Sequence, residues 1–153
     1  MEEKTTDELD KILGSTHAKN LSEFFKDNKE SMIEDERYFS TYMKEIMKKN
    51  NLLLQEVFLN ADIPERYGYK LLSGEKHTKQ RDVILRICYA ARLTLPETQK
   101  ALKIYKMPEL YSRVPRDAAL MVCFNERPGS ILDVNTFLMK NHLDPLRSSG
   151  VQE

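Results

Sequence analysis

The stretch Leu54-Gln55-Glu56-Val57-Phe58-Leu59-Asn60-Ala61-Asp62-Ile63-Pro64-Glu65-Arg66-Tyr67-Gly68-Tyr69-Lys70-Leu71-Leu72-Ser73-Gly74 reads as two short helices joined by a tight turn. Leu53, Leu54, Val57, Phe58 and Ala61 recur at helical spacing, so the first helix is expected over 52–61. Asp62-Ile63-Pro64 then breaks the period. Pro64 suits a first helical position, where its missing N–H has no partner to lose, and Tyr67, Leu71 and Leu72 carry the apolar stripe on to Ser73 and Gly74. The second helix is therefore expected over 64–73.

Working outward, Tyr38, Phe39, Tyr42, Met43, Ile46 and Met47 predict a core helix over 36–49 with a basic last turn. Val83, Ile84, Ile87, Cys88 and Ala91 predict another over 81–92. Thr5-Thr6-Asp7 ahead of Leu9, Ile12 and Leu13, closed by Gly14, predicts a short amphipathic helix. Leu21, Phe24 and Phe25 mark one more, started by Asn20 or Ser22, and Asp27–Asp35 is polar enough for a loop. The chain also repeats itself. Arg81, Asp82, Leu85, Cys88 and Tyr89 recur 35 residues later as Arg116, Asp117, Leu120, Cys123 and Phe124. Leu95, Glu97, Gln99, Leu102, Met107 and Leu110 recur 36 later as Ile131, Asp133, Asn135, Leu138, Leu143 and Leu146. Two copies of a helical hairpin sharing a core are expected, a compact extension and not a solenoid.

Composition agrees with an all-α chain. Five Gly and six Pro in 153 residues, among many Glu, Lys, Leu, Met and Arg, favour helix over sheet. A chain of this length buries enough surface to fold without disulfide or metal. No apolar run approaches the ~18 residues of a membrane span, and Met1-Glu2-Glu3-Lys4 opens no secretory signal, so no membrane partner and a cytoplasmic location are expected. Cys88 and Cys123 have no zinc-like spacing and are expected to be reduced and buried. His17, His77 and His142 are scattered, and neither a nucleophile setting nor a Gly-rich phosphate loop is visible. The expectation is a non-enzyme with no metal or cofactor. Arg81-Asp82 and Arg116-Asp117 open helices, where Asp can meet unpaired N–H groups, so a structural role is expected for them.

The quoted stretch, followed by Arg81-Asp82-Val83-Ile84-Leu85, resembles the Cro and lambda-repressor (XRE) helix-turn-helix family over roughly residues 38–105. It is similar in particular to a bacterial variety with a Tyr-x-Tyr pair in its recognition helix, matched by Tyr67 and Tyr69. The whole chain looks like a Firmicutes-type member with a C-terminal helical extension. The resemblance implies a lambda-repressor-like bundle in which Val57, Ile63 and Leu71 hold the helix pair together and Gly74 ends the second helix. It implies a sequence-specific DNA-binding regulator, with helix 64–73 in the major groove of double-stranded DNA. Pro64, Glu65, Arg66, Tyr69, Lys70 and Ser73 are then expected to face the groove, and Lys76, His77, Thr78 and Lys79 to meet phosphates. Arg66 is the base reader, because its planar fork can donate two hydrogen bonds to guanine. The chain departs from the family pattern at Leu54, Phe58, Asp62 and Gly68, where a Gln, a small residue, a Gly and an apolar residue are usual.

Charge is balanced overall, 24 basic against 24 acidic residues, but residues 1–37 carry a net −5 and residues 38–153 a net +5. Between Met43 and Arg92 there are ten basic and six acidic residues, a modest phosphate footprint. The expected organisation is an acidic helical lead-in (1–35), a helix-turn-helix domain (36–105), a C-terminal helical extension (106–147) and a frayed tail (148–153), with Arg147 at its start. A homodimer is expected because one unit reads few bases, with Met107, Leu110 and Tyr111 as a candidate contact. The rival reading is a non-enzymatic module that docks a protein partner through the same scaffold.

Overall fold

The computed structural model describes residues 4–32 and 38–148. It is all-α, and the chain divides into two compact units between Asp35 and Glu36.

The first unit holds α1 (Thr6–Gly14) and α2 (Leu21–Asp27), with 3-10 turns at Ala18–Asn20 and Lys29–Ser31. Thr5 caps α1 by accepting from the Glu8 N–H at 3.2 Å, satisfying one of the donors a helix start leaves open. The segment after α2 is more ordered than its polarity suggests. Asn28 is buried, its amide donating to the Phe24 carbonyl, and the Ser31 hydroxyl accepts from the Lys4 backbone N–H at 2.8 Å.

The second unit contains α3 (Tyr38–Lys49), α4 (Leu54–Ala61), α5 (Glu65–Ser73), α6 (Arg81–Ala90), α7 (Leu95–Ile104), α8 (Pro115–Glu126) and α9 (Ile131–Lys140). Glu36 and Arg37, expected to begin α3, lie outside the described residues. One continuous core runs from Phe39 and Met43 through Val57, Phe58 and Leu71 to Leu85, Leu102, Leu120 and Leu138. The expected boundary at residue 105 is therefore not a break in packing. Helices α6 and α7 serve both the α3–α5 bundle and the first repeat.

The repeat extends to details that periodicity does not reach. Thr94 with Glu97 and Ser130 with Asp133 form equivalent capping boxes at the starts of α7 and α9. Arg92 and Arg127 follow α6 and α8 with left-handed backbones, as Lys106 and His142 do after α7 and α9. Gln99 pairs with both the N–H and the carbonyl of Leu110, and its counterpart Asn135 accepts from the Leu146 N–H. Leu110 is buried by this clasp and is not free for self-association; Met107 is half-buried and Tyr111 exposed.

The Arg-Asp pairs open their helices but do not cap them. Arg81 donates to Asp117 at 2.5 and 3.2 Å, and Arg116 donates to Asp82 at 3.0 and 2.9 Å. Each arginine also holds its own repeat's closing loop, Arg81 through the Pro108 and Glu109 carbonyls and Arg116 through those of Asp144 and Pro145. Each aspartate receives a backbone N–H from the other repeat's loop: Arg147 to Asp82, Tyr111 to Asp117. Such reciprocal exchange is the mark of a two-fold relation between two copies. Tyr89 and Phe124, equivalent residues, meet edge to face at 5.5 Å. Arg147 is thus tied into the fold and is not part of a frayed tail; residues 149–153 lie outside the described residues.

Candidate nucleic-acid interface

Helix α4 begins two residues later than the expected start at 52. Leu53 precedes it, 66% exposed, with its N–H donating to the Glu56 carboxylate at 3.2 Å. Helix α4 ends at Asp62, whose φ of 55° is the left-handed conformation that glycine adopts freely and Asp tolerates among the L-residues. The turn is closed by Asp62 N–H to the Leu59 carbonyl and Ile63 N–H to the Phe58 carbonyl. Pro64 lies one place ahead of α5 and not inside it; its carbonyl accepts the Gly68 N–H at 2.9 Å. Gly74, at φ 83°, ends the helix where expected.

One side of α5 is inward: Tyr67, Gly68, Leu71 and Leu72 are buried. Pro64, Glu65, Arg66, Tyr69 and Ser73 are exposed and Lys70 is half-buried. Arg66 and Lys70 have no hydrogen-bond or ion-pair partner for their side chains among the described residues, so both charges are available to a ligand. Glu65 is engaged, accepting from the Gln55 amide at 3.1 Å. Tyr69 is 41% exposed and lies edge to face on Phe58 at 5.2 Å.

The two departures Phe58 and Gly68 are one feature. A Cβ at Gly68 would stand 2.5 to 2.7 Å from the Phe58 ring atoms, so the ring occupies the space a side chain at 68 would need. The ring of Phe58 on α4 thus fits against the bare backbone of Gly68 on α5.

The loop after α5 is less uniform than expected. Lys76 is half-buried, Lys79 is exposed, and the Lys76 N–H closes onto the Lys70 carbonyl. His77 is exposed but stacks on Tyr105 at 4.3 Å. Thr78 does not fit the expected phosphate contact: its side chain is fully buried, its N–H donates to the Tyr105 hydroxyl, and its own hydroxyl accepts from Gln80. A residue that anchors a loop by both groups cannot also reach out from it. Three of the ten cations counted between Met43 and Arg92 are likewise committed. Lys49 pairs with Glu97 and Arg81 with Asp117. Arg86 is buried, donating to the carbonyls of Ala61, Leu146 and Arg147. Its inward role had no signal in a residue type that is usually exposed.

A second feature of this face is apolar. A cavity of about 430 Å³ opens between α3 and α5, lined by Met47, Leu52, Leu53, Leu54 and Tyr69, with Lys44 and Lys48 also in its wall. Leu59 on α4 is 79% exposed.

Among the described residues no group of three or more His, Cys, Asp or Glu side chains could hold a metal ion, and no helix is long and apolar enough to cross a membrane. Cys88 and Cys123 are buried, as expected, and burial pushes both thiols up, that of Cys123 to about 11. No family model, curated protein or solved structure matches the chain.

Proposed function

We propose that this protein is a sequence-specific DNA-binding regulator that lays α5 in the major groove. The observation that carries the reading is the division of α5 into a buried stripe and an outward row with Arg66 and Lys70 uncommitted. A helix used only for packing has no need to keep a planar guanidinium free at the start of its exposed face. Arg66 suits bidentate donation to guanine, Tyr69 contact with a thymine methyl or a phosphate, and Lys70, Lys76 and Lys79 the backbone. Commitment of Lys49, Arg81 and Arg86 elsewhere makes the footprint smaller than the count of basic residues implies.

Fluorescence polarisation against the DNA upstream of its own gene tests this. With about four phosphate contacts, affinity falls roughly 100-fold between 50 and 200 mM salt, and Arg66→Ala with Lys70→Ala abolishes the signal. The exposed Leu53, which lines one cavity with Tyr69, favours a second reading, a module that docks a protein partner. Its affinity would barely respond to salt, and no polarisation change at low salt would select it over the first.

A further inference from the structure

On another part of the second unit, a cavity of about 370 Å³ is formed where the two repeats meet α4. Its walls include Asn60 from α4, Tyr89 from α6, Ser130 and Ile131 at the start of α9, and the arginines Arg92 and Arg127. Those arginines occupy equivalent places, in the turn that ends the first helix of each repeat, with left-handed backbones (φ 61° and 54°). The repeat thus brings two like charges to one cavity.

Neither has a carboxylate partner among the described residues. Arg127 is half-buried. It donates to the Tyr89 carbonyl at 2.8 Å and to the Leu93 carbonyl, and lies over the Tyr89 ring at 4.7 Å. Two carbonyls leave most of its five N–H groups unspent. Burial, before any other influence, pulls its guanidinium below the usual value; the charge of Arg92 pulls the same way, and Tyr89, Cys88 and Glu97 only partly oppose it. Neighbouring acids are occupied: Asp133 by the Ser130 cap, Glu97 by Lys49. A partly desolvated charge beside a like charge, with no carboxylate bonded to it, is an unfavourable arrangement that a bound anion would relieve. No carboxylate lines the cavity, whereas Tyr89 and Ile131 give it an apolar side.

We infer that the cavity bounded by Arg92, Arg127, Tyr89 and Asn60 binds a small organic phosphate monoester, its dianion between the two guanidiniums and its apolar body against Tyr89 and Ile131. The volume is that of a small-molecule site, and two adjacent guanidiniums match a charge near −2 better than a monoanion. Asn60 places the helix before α5 in the wall, so an occupant touches the same helix pair that the DNA reading uses. The inference stands without that reading.

Phenyl phosphate is the probe, titrated into the full-length, isotope-labelled protein at constant ionic strength and followed by amide and arginine Nε–H NMR. Saturable shifts are expected at Arg127, Gly129, Ser130 and Ile131. Arg92→Gln is the informative variant, because Arg92 is exposed and its side chain makes no hydrogen bond among the described residues, the bonds of its backbone to Tyr89 and Asn50 being kept by glutamine. It should weaken binding about tenfold, with partial recovery in Arg92→Lys. Benzoate, a monoanion, and dimethyl phosphate, a stand-in for a nucleic-acid backbone, should each bind about tenfold more weakly than phenyl phosphate. Absence of saturable shifts at Gly129–Ile131, an unchanged affinity in Arg92→Gln, or equal binding of dimethyl phosphate would each overturn the assignment.

Discussion

Thr98 shows how a single residue can depart from the logic of its surroundings. It is fully buried on α7, and its hydroxyl has no hydrogen-bond partner. A buried polar group without a partner forfeits its hydration and recovers nothing, at a cost of about 1–3 kcal/mol. The equivalent position in the second repeat, 36 residues on, is Val134, also buried. Valine has nearly the same shape without the hydroxyl, so the second copy displays the apolar solution to the same site. Thr98→Val should raise stability by about 1 kcal/mol, seen as a higher urea midpoint with an unchanged slope. A lower midpoint would mean that the hydroxyl is satisfied in solution. The two thiols are a contrasting case, since Cys88 and Cys123 behave as small apolar groups at equivalent helix positions.

Between elements, the α4–α5 pair rests on the fit of Phe58 against Gly68. Glycine inside a helix normally costs about 1 kcal/mol relative to alanine, so propensity alone predicts that Gly68→Ala stabilises. Here the added methyl meets the Phe58 ring at 2.5 Å, and the ring is itself 1% exposed and has nowhere to move. Gly68→Ala should therefore destabilise by about 1–3 kcal/mol. In a Phe58→Ala background the same substitution should stabilise, because the obstruction is gone and only propensity remains. A double-mutant cycle measured by chemical denaturation checks this, and a coupling near zero would refute it. Most of the element-level plan was legible in residue order: each helix of the second unit falls within a residue or two of its apolar pattern, and the turn residues Asp62 and Gly74 adopt the backbones that end helices. Leu53 misled because apolar periodicity cannot tell the last residue before a helix from its first turn. Thr78 misled because a polar residue in a basic loop looks solvent-facing until Tyr105, 27 positions away, supplies its partner.

For the molecule as a whole, the reciprocal clasp of Arg81 with Asp117 and Arg116 with Asp82 joins the two repeats. Both carboxylates are nearly buried, so removing one arginine leaves an uncompensated charge. Arg116→Ala should cost about 3 kcal/mol at neutral pH. Burial alone would raise the Asp82 carboxyl, but the hydrogen bonds from Arg116 and the Arg147 N–H outweigh it and hold it below the ordinary carboxylate range. The unfolded chain then binds more protons than the folded one as pH falls past about 4, so this contribution is complete above that pH and is lost through the folded value below it. Urea midpoints measured from pH 7 downward should show a steep acid limb. In Asp82→Asn the protein should be less stable at pH 7 and that limb shallower; a limb of unchanged slope would assign the acid sensitivity to other groups.

Local order in the chain was sufficient for the helices to within a residue or two of their ends, the all-α class and the 35-residue repeat, because periodicity and capping act over three or four positions. It also put Arg66, Tyr69 and Lys70 at helical spacing on one helix; in the structure Arg66 and Tyr69 are exposed and Lys70 is half-buried. What only the tertiary structure decided is who meets whom: Arg81 with Asp117 and not with its neighbour Asp82, Arg86 with Leu146, the Phe58 ring above Gly68, Arg92 and Arg127 around one cavity. These pairs are 10 to 60 residues apart, and their energies come from desolvation and close packing, which depend on where the chain returns in space and leave no mark on the order of residues along it.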